Sequence, residues 1–267
     1  MDNNHPPRPL AAGTVKSAES LGMATASADE VARFAAIADA WWDPEGEFRP
    51  LHRLNPTRIA YIRDRIAGHF GRDSLAPRPL DGLRILDVGC GGGLVAEPMT
   101  RLGAQVTGID ADQRGVTIAE AHARKFGLAI RYRCALPEDL LDADEPPFDA
   151  VVSMEVVEHV SDPSAFLSVC SDLLAPGGVL ILATLNRTLK SLALAKIGAE
   201  YILRWVPAGT HDWRKFIRPS ERAAGLRRCG LRIEDVSGMR YDPLRDRWSL
   251  SPTDLDINYL VCASKPR

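Results

Sequence analysis

The stretch LDVGCGGG at residues 86–93 decides the fold, because an apolar run ends there and a glycine-rich loop follows it. Glycine adopts backbone conformations that other residues avoid, and it lets a ligand approach the main chain closely. A helix that starts after such a loop presents unpaired N–H groups and the positive end of its dipole. Ligands of open α/β sheets bind at this carboxyl edge of the strands. The stretch therefore predicts the first strand of an α/β sheet and a ligand-binding loop after it.

Further short apolar runs alternate with helical segments, as parallel strands joined by crossover helices do. Seven runs have this character: LRILDVG, AQVTGID, IRYRCA, FDAVVSM, GVLILATLN, LRIEDVSGM and NYLVCASK. The alternation predicts a Rossmann-like α/β fold with a mostly parallel sheet of about seven strands and helices on both faces.

The chain is predicted to form one domain, residues 27–267, preceded by a disordered tail at residues 1–26 that is small, polar and proline-containing. The apolar spacing of EVARFAAIADAWW predicts an N-terminal helix that covers the domain. A second helix is expected to begin near Pro56, with Asn55 as its N-cap. After the fifth strand, residues 188–206 replace a simple crossover with a long helical insertion.

The composition narrows the classes of function. Lys and Arg number 33, and Asp and Glu number 35. A nucleic-acid binder normally carries a basic surplus, so no nucleic-acid partner is expected. The five cysteines include no C-x-x-C pair, so neither a disulfide framework nor a cysteine zinc site is expected, and a reducing compartment is predicted. No run of about 18 uncharged apolar residues occurs, so the sequence predicts no membrane-spanning helix.

The glycine loop fits a dinucleotide poorly, because G-x-G-x-x-G spacing would require glycine where Leu94 stands. Asp87 is unfavourable beside a pyrophosphate but suits an ammonium group. S-adenosylmethionine carries an α-amino group and a sulfonium and has no phosphates. Asp110 closes the second strand about 20 residues after the loop, where it can meet the two hydroxyls of a ribose. A nicotinamide site and a tight turn without a ligand are the alternatives.

Three segments, ILDVGCGGG, VTGID and the APGG turn at 175–178, resemble the class I S-adenosylmethionine-dependent methyltransferases. Three longer blocks resemble the O-methyltransferases of ubiquinone biosynthesis, which methylate polyprenyl phenols and catechols. These blocks are AWWDPEGEFRPLHRLNPTRIAYI, MEVVEHVSDP and TLNRTLKSLALAKIGAEYILRWVPAGTHDWRKFI. The resemblance covers residues 30–267 and implies O-methylation of such a substrate.

The resemblance also implies which residues contact the cofactor. Arg58, Gly89, Asp110 and Met154 match the family at its cofactor-binding positions. Arg58 is known only in this way, because nothing in the bare sequence distinguishes it among 33 basic residues. The adjacent tryptophans at 41–42 are predicted to pack in the core or in a lid rather than to form a ligand cage.

A second candidate site follows strand four, where Glu155, Glu158 and His159 place two carboxylates and an imidazole together. Such groups can remove the proton of a phenol, as a general base or through a divalent cation. Carboxylate oxygens suit Mg²⁺, and related family members, notably eukaryotic ones, use a metal at this Glu-x-x-Glu-His motif. In the alternative, these side chains only cap the next helix. His211 is a second candidate base or a solvated loop histidine.

The insertion at 188–206 has the pattern of a basic amphipathic helix. Its charged residues, among them Lys190 and Lys196, share one side of a helical wheel, and the other side is apolar and includes Trp205. Such a helix suits an anionic bilayer surface, where a polyprenyl substrate would reside. In the alternative, it is a lid that packs on its own domain.

The resemblance and the pattern of the insertion together imply a cytoplasmic O-methyltransferase peripherally associated with the inner membrane. Its expected partners are the prenylated substrate, the anionic membrane surface and other ubiquinone-biosynthesis proteins. Two other functions stay open: methylation of another small phenolic substrate, and a non-catalytic lipid-binding scaffold.

Overall fold

The computed structural model describes residues 41–46, 48–143, 145–193 and 213–267. Its strands form one sheet in the order β3-β2-β1-β4-β5-β8-β6-β7. They are β1 Arg84–Val88, β2 Gln105–Asp110, β3 Arg131–Cys134, β4 Phe148–Met154, β5 Leu174–Leu185, β6 Arg232–Asp242, β7 Arg247–Ser251 and β8 Asn258–Ser264. Strands β1 to β5 pair in parallel, and β8 is antiparallel to both of its neighbours.

This architecture confirms the Rossmann-like α/β prediction, and it adds one strand to the predicted sheet. The extra strand β7 pairs antiparallel with β6 at the sheet edge, where Met239 faces Leu250. An edge strand is covered on fewer sides, and the segment RWSLS is exposed or half-buried throughout. It therefore lacks the apolar run by which buried strands are recognised.

The helices lie on both faces of the sheet. They are α1 Arg49–His69, α2 Ala96–Arg101, α3 Gln113–Lys125, α4 Pro137–Asp142, α5 Pro163–Asp172, α6 Leu189–Ser191 and α7 Pro219–Arg228, with a 3-10 turn at Trp213–Lys215. Helices α1, α2 and α3 supply one apolar core, and α4, α5 and α7 supply the other. The inner parallel strands β1, β2, β4 and β5 are thus covered on two sides, as their largely apolar sequences require, whereas β3 is an edge strand and is partly exposed.

The first described helix begins earlier than predicted, at Arg49 rather than near Pro56. Its buried face extends back to Leu54, so packing favours one continuous helix through Pro56. Pro50 takes the place in the first turn where a proline is tolerated. The predicted N-cap Asn55 is wrong, because its side-chain amide donates to the Leu94 carbonyl oxygen at 2.7 Å.

Several predictions fall on residues outside the described part of the chain. These are the tail at 1–26, the N-terminal covering helix up to residue 40, His211 and most of the insertion at 188–206. The described start of the insertion is helical: the Thr188 hydroxyl oxygen accepts the Ser191 N–H at 2.9 Å and caps α6. Across the described residues, no helix is both long and apolar enough to cross a membrane.

Candidate active site

Gly89 lies at the turn that leaves β1, with a φ of 74°. A Cβ on this residue would stand 2.3 Å from Val156 Cγ2, which is far inside van der Waals contact. The Gly89 N–H donates to the Ile109 carbonyl oxygen at 2.8 Å, which ties the loop to β2. Both the backbone conformation and the close approach therefore require glycine here.

Asp87 lies just below the loop and is almost fully buried, at 2% exposure. Its Oδ2 atom has no hydrogen-bond partner. Burial, and next the negative charge of Asp110, raise the pKa of Asp87 to about 7. A buried acceptor without a donor is unfavourable, so this atom is suited to a ligand that brings a cationic N–H group.

Asp110 ends β2 beside the same loop. Its Oδ2 accepts the Gly91 N–H at 2.8 Å, and its Oδ1 accepts the Asp112 N–H at 2.9 Å. Burial raises the pKa of Asp110, whereas these backbone hydrogen bonds lower it. The structure therefore brings two sequence-predicted residues, Gly89 and Asp110, to one sheet edge.

Arg58 reaches the end of β4 from helix α1. Its guanidinium forms an ion pair with the Glu155 carboxylate, and its buried Nε has no partner. Glu155 holds a φ of 57°, a strained backbone conformation for a residue that is not glycine. The preceding residue, Met154, pairs with Ala183 and packs against the core beneath. The four residues matched to the cofactor site thus lie in two places: Gly89 and Asp110 lie at the glycine loop, and Met154 lies at the end of β4, where Arg58 holds the next residue, Glu155.

Glu158 is buried, at 3% exposure, and is held by the neighbouring strand β5. The Thr184 hydroxyl donates to Glu158 Oε2 at 2.9 Å, and Glu158 Oε1 has no partner. Burial, and next the charge of Glu155, raise the pKa of Glu158 to about 7. The Glu158 backbone N–H, the Thr184 hydrogen bond and the charge of the buried Arg222 oppose this rise. A carboxyl group with such a pKa can exchange protons at neutral pH.

Thr184 and Arg222 are site residues that the sequence did not reveal. Thr184 lies inside an apolar strand, and Arg222 lies on an ordinary basic stretch of helix α7. Only the fold shows that both side chains act on the pKa of Glu158.

The predicted magnesium ligands Glu155, Glu158 and His159 do not form a ligand set in this structure. Glu155 is committed to Arg58, and Glu158 is committed to Thr184. The His159 backbone N–H donates to the Val156 carbonyl oxygen at 2.8 Å. Across the described residues, no group of three or more His, Cys, Asp or Glu side chains is close enough to hold a metal ion. The donor arrangement in this structure therefore does not fit Mg²⁺.

A cavity of about 500 Å³ opens between helices α5 and α7. Glu158 and Arg222 lie in its wall, together with the basic residues Arg214 and Lys215. Because Thr184 directly follows Ala183, the partner of Met154, the Glu158 carboxyl group stands at the carboxyl ends of β4 and β5. The cavity therefore reaches the sheet edge at which the glycine loop also lies.

Comparison with known proteins identifies the fold and then the family. Residues 86–182 match the family described as "Methyltransferase domain". The magnesium protoporphyrin IX methyltransferase of Synechocystis PCC 6803, solved with bound SAH, is 20% identical, with a TM-score of 0.60 over 89% of this chain and 93% of that one. The plantazolicin methyltransferase, also solved with SAH, is 16% identical, with a TM-score of 0.63 over 90% of this chain and 97% of that one. These two structures share the fold.

Sequence relatives are much more similar. The ubiquinone biosynthesis O-methyltransferase of Parvibaculum lavamentivorans is 51% identical over 94% of this chain and 98% of its own. Its namesakes from Chelativorans sp. and Paramagnetospirillum magneticum are 53% and 54% identical, over 91% of this chain and 95% and 96% of theirs. The chain belongs to the ubiquinone biosynthesis O-methyltransferase family, whose enzymes depend on S-adenosylmethionine.

Proposed function

We propose that the chain transfers a methyl group from S-adenosylmethionine to a hydroxyl oxygen of a polyprenylated phenol or catechol in ubiquinone biosynthesis. The observation that carries this proposal is Glu158, a buried carboxyl group with a pKa of about 7 that stands at the carboxyl ends of β4 and β5 and lies in the wall of the cavity between α5 and α7. Relatives at 51–54% identity, named for ubiquinone biosynthesis, support the substrate class.

The residues of the glycine loop and its neighbours fit the cofactor. The unpartnered Asp87 Oδ2 suits its α-ammonium group, and the buried, unpartnered Nε of Arg58 suits its carboxylate. Gly89 lets the loop turn tightly against Val156, and Asp110 can accept from the ribose hydroxyls. When bound, S-adenosylmethionine supplies a sulfonium whose methyl carbon is open to attack by an oxygen nucleophile.

In this proposal Glu158 removes the phenol proton and His159 and Glu155 complete the reaction site. The O–H proton passes to the unpartnered Oε1 of Glu158, while Thr184 keeps the carboxyl group oriented through Oε2. Much of the rate acceleration comes from holding the phenol oxygen in line with the sulfonium methyl group, because the translational and rotational entropy of the two reactants is already lost when they bind.

Cofactor affinity is expected to rise with pH below about 7. The α-ammonium group binds ionised Asp87, whereas the ligand-free protein keeps Asp87 protonated below its pKa of about 7. Calorimetry with S-adenosylhomocysteine, which keeps the amino group, should show affinity increasing by up to about tenfold per pH unit between pH 5.5 and 7. Asp87→Asn should flatten this rise, and Asp162→Asn, at the N-cap of α5, should keep it. A flat profile in the parent would contradict the assignment.

Turnover tests the function itself. Labelled S-adenosylmethionine should methylate a short-chain prenyl catechol, and product formation should exceed that from a water-soluble catechol. The reverse preference would favour the alternative of another small phenolic substrate. Failure of the protein to bind S-adenosylmethionine would favour the non-catalytic lipid-binding scaffold.

We further propose that residues 188–206 dock on an anionic membrane, which would place the enzyme at the cytoplasmic face of the inner membrane beside other ubiquinone-biosynthesis proteins. The basic amphipathic sequence supports this, as does Leu189, whose side chain is 77% exposed. Lys190 is held by Asp256 at 3.1 Å and Asp254 at 3.7 Å, so it serves the segment's attachment rather than contact with lipid.

Binding to vesicles of phosphatidylglycerol should therefore be salt-sensitive and should weaken in Lys196→Glu and in Trp205→Ala. Co-sedimentation measures it, with neutral vesicles as the control and cofactor affinity as the test of integrity. If both variants bind the vesicles as well as the parent does, the segment is only a lid on its own domain. Lys190→Glu should weaken binding less than Lys196→Glu does, because its charge is already paired.

A further inference from the structure

The adjacent side chains Trp41 and Trp42, the tryptophan pair, lie directly on the glycine loop. A Cβ on Gly91 would stand 2.4 Å from Trp41 Cζ2, and one on Gly92 would stand 2.5 Å from Trp41 Cγ. The six-membered ring thus lies over Gly91 and the five-membered ring over Gly92. Two glycines of the loop therefore permit the indole to touch the main chain, in addition to any role toward a ligand.

The pair is anchored on both sides of the loop. Trp42 Nε1 donates to the Gly92 carbonyl oxygen at 2.9 Å. The Trp42 ring stacks on His122, with centroids 3.5 Å apart and planes at 5°, and His122 Nδ1 bonds to the buried Glu97 at 2.6 Å. A ring stack and a hydrogen bond to different elements fix the position of the pair over the loop.

Trp41 is fixed in the same way from helix α1. Its carbonyl oxygen accepts from His52 Nε2 at 2.9 Å, and its ring stacks on Phe48, with centroids 3.9 Å apart. The indole N–H of Trp41 is an unsatisfied donor, because Nε1 is buried and has no hydrogen-bond partner. A buried donor without an acceptor is costly, so this N–H is suited to a ligand that supplies an acceptor.

The indole stands close to the groups assigned to the cofactor. The Gly91 N–H under its six-membered ring is bound by Asp110, the residue expected to meet the ribose. Asp87, which precedes the loop, offers a buried acceptor without a donor, and Trp41 offers a buried donor without an acceptor. S-adenosylmethionine carries both complements: an ammonium group, and acceptors on its carboxylate, ribose and adenine.

We propose that Trp41 is a further cofactor-binding residue, whose indole closes the site over the glycine loop and whose Nε1–H donates to bound S-adenosylmethionine. This inference rests on the proposed function, since it takes the glycine loop as the cofactor site. It adds a contact that the resemblance did not supply. The tryptophan pair acts as a cover on the cofactor rather than as core packing alone.

Calorimetric titration with S-adenosylhomocysteine tests the proposal in two steps. Trp41→Phe keeps an aromatic ring on the loop but loses the N–H donor together with the five-membered ring, so the dissociation constant should rise about fivefold. Trp41→Ala removes the cover as well, and the dissociation constant should rise about 30-fold or more, with faster release. The matched control is Trp248→Phe on β7, which should change the constant by no more than about twofold.

The melting temperature of each ligand-free variant separates folding from binding. If the Trp41→Ala variant has a lower melting temperature but the same dissociation constant as the parent, the proposal is overturned, because Trp41 then has a structural role only. A dissociation constant of Trp41→Phe equal to that of the parent would overturn the donor role. If Trp41→Ala does not fold, the phenylalanine variant decides alone. A parent that does not bind S-adenosylhomocysteine would instead refute the cofactor assignment and the proposed function with it.

Discussion

Gly89→Ala is expected to weaken S-adenosylmethionine binding by about 100-fold or more, although it adds a single methyl group. The new Cβ would stand 2.3 Å from Val156 Cγ2, so either the loop or the segment after β4 must move. Forcing an extra carbon into filled space costs about 1–3 kcal/mol or more, and about 2.8 kcal/mol corresponds to a 100-fold change in affinity. The residue must also hold a φ of 74°, which is unfavourable with a side chain.

Gly127→Ala is the matched control, because Gly127 has a similar φ of 66° but no atom within 4 Å of an added Cβ. It should lower the free energy of unfolding by about 1 kcal/mol through backbone strain and leave cofactor affinity unchanged. Calorimetry and thermal melting of the two variants separate strain from steric displacement. Equal cofactor affinity in Gly89→Ala and the parent would show that the loop does not hold the cofactor.

Glu158→Gln is expected to lower kcat by about 10²–10⁴-fold while cofactor affinity stays near that of the parent. The amide oxygen can still accept from Thr184, so the change removes the proton acceptor and preserves the local packing. In the parent, activity should fall as the pH drops below about 7, because Glu158 is then protonated. A kcat within tenfold of the parent's would exclude Glu158 as the general base.

Two neighbouring changes should shift the acid limb of the pH–rate profile in opposite directions. Thr184→Val removes a hydrogen bond that lowers the pKa of Glu158, so the limb should move to higher pH. Glu155→Gln removes a negative charge that raises the same pKa, so the limb should move to lower pH. Shifts of the same sign would show that another group controls the limb.

The sequence predicted the parallel part of the sheet well, because its inner strands are buried on both faces and read as apolar runs. β4 was predicted with its observed bounds, 148–154, since both ends of that run are abrupt. The edge strand at 247–251 was missed because edge strands do not need continuous apolar residues. The start of α1 was misplaced because a proline at 56 suggested a helix start, whereas packing at Leu54 extended the helix backwards.

The site was predictable only where one residue type is chemically required. Gly89 and Asp110 follow from the loop and from the strand ends, which the alternation of strands and helices determines. Thr184 and Arg222 could not be foreseen, because their influence on Glu158 depends on contacts between elements distant in the chain. The three predicted magnesium ligands do not come together in this structure for a related reason: Glu155 is paired with Arg58, and Glu158 accepts from Thr184, both from other elements.

The place of β8 in the sheet has a consequence for the order in which this protein assembles. β8 follows β6 and β7 in the chain, yet it lies between β5 and β6 and bonds to both. The β6–β7 hairpin therefore joins the parallel strands only through β8, and the sheet is divided in two until β8 inserts. Because β5 and β8 are far apart in the chain, we expect this last step of sheet formation to be slow. Until β8 pairs with it, the edge of β5 can pair with another chain and aggregate.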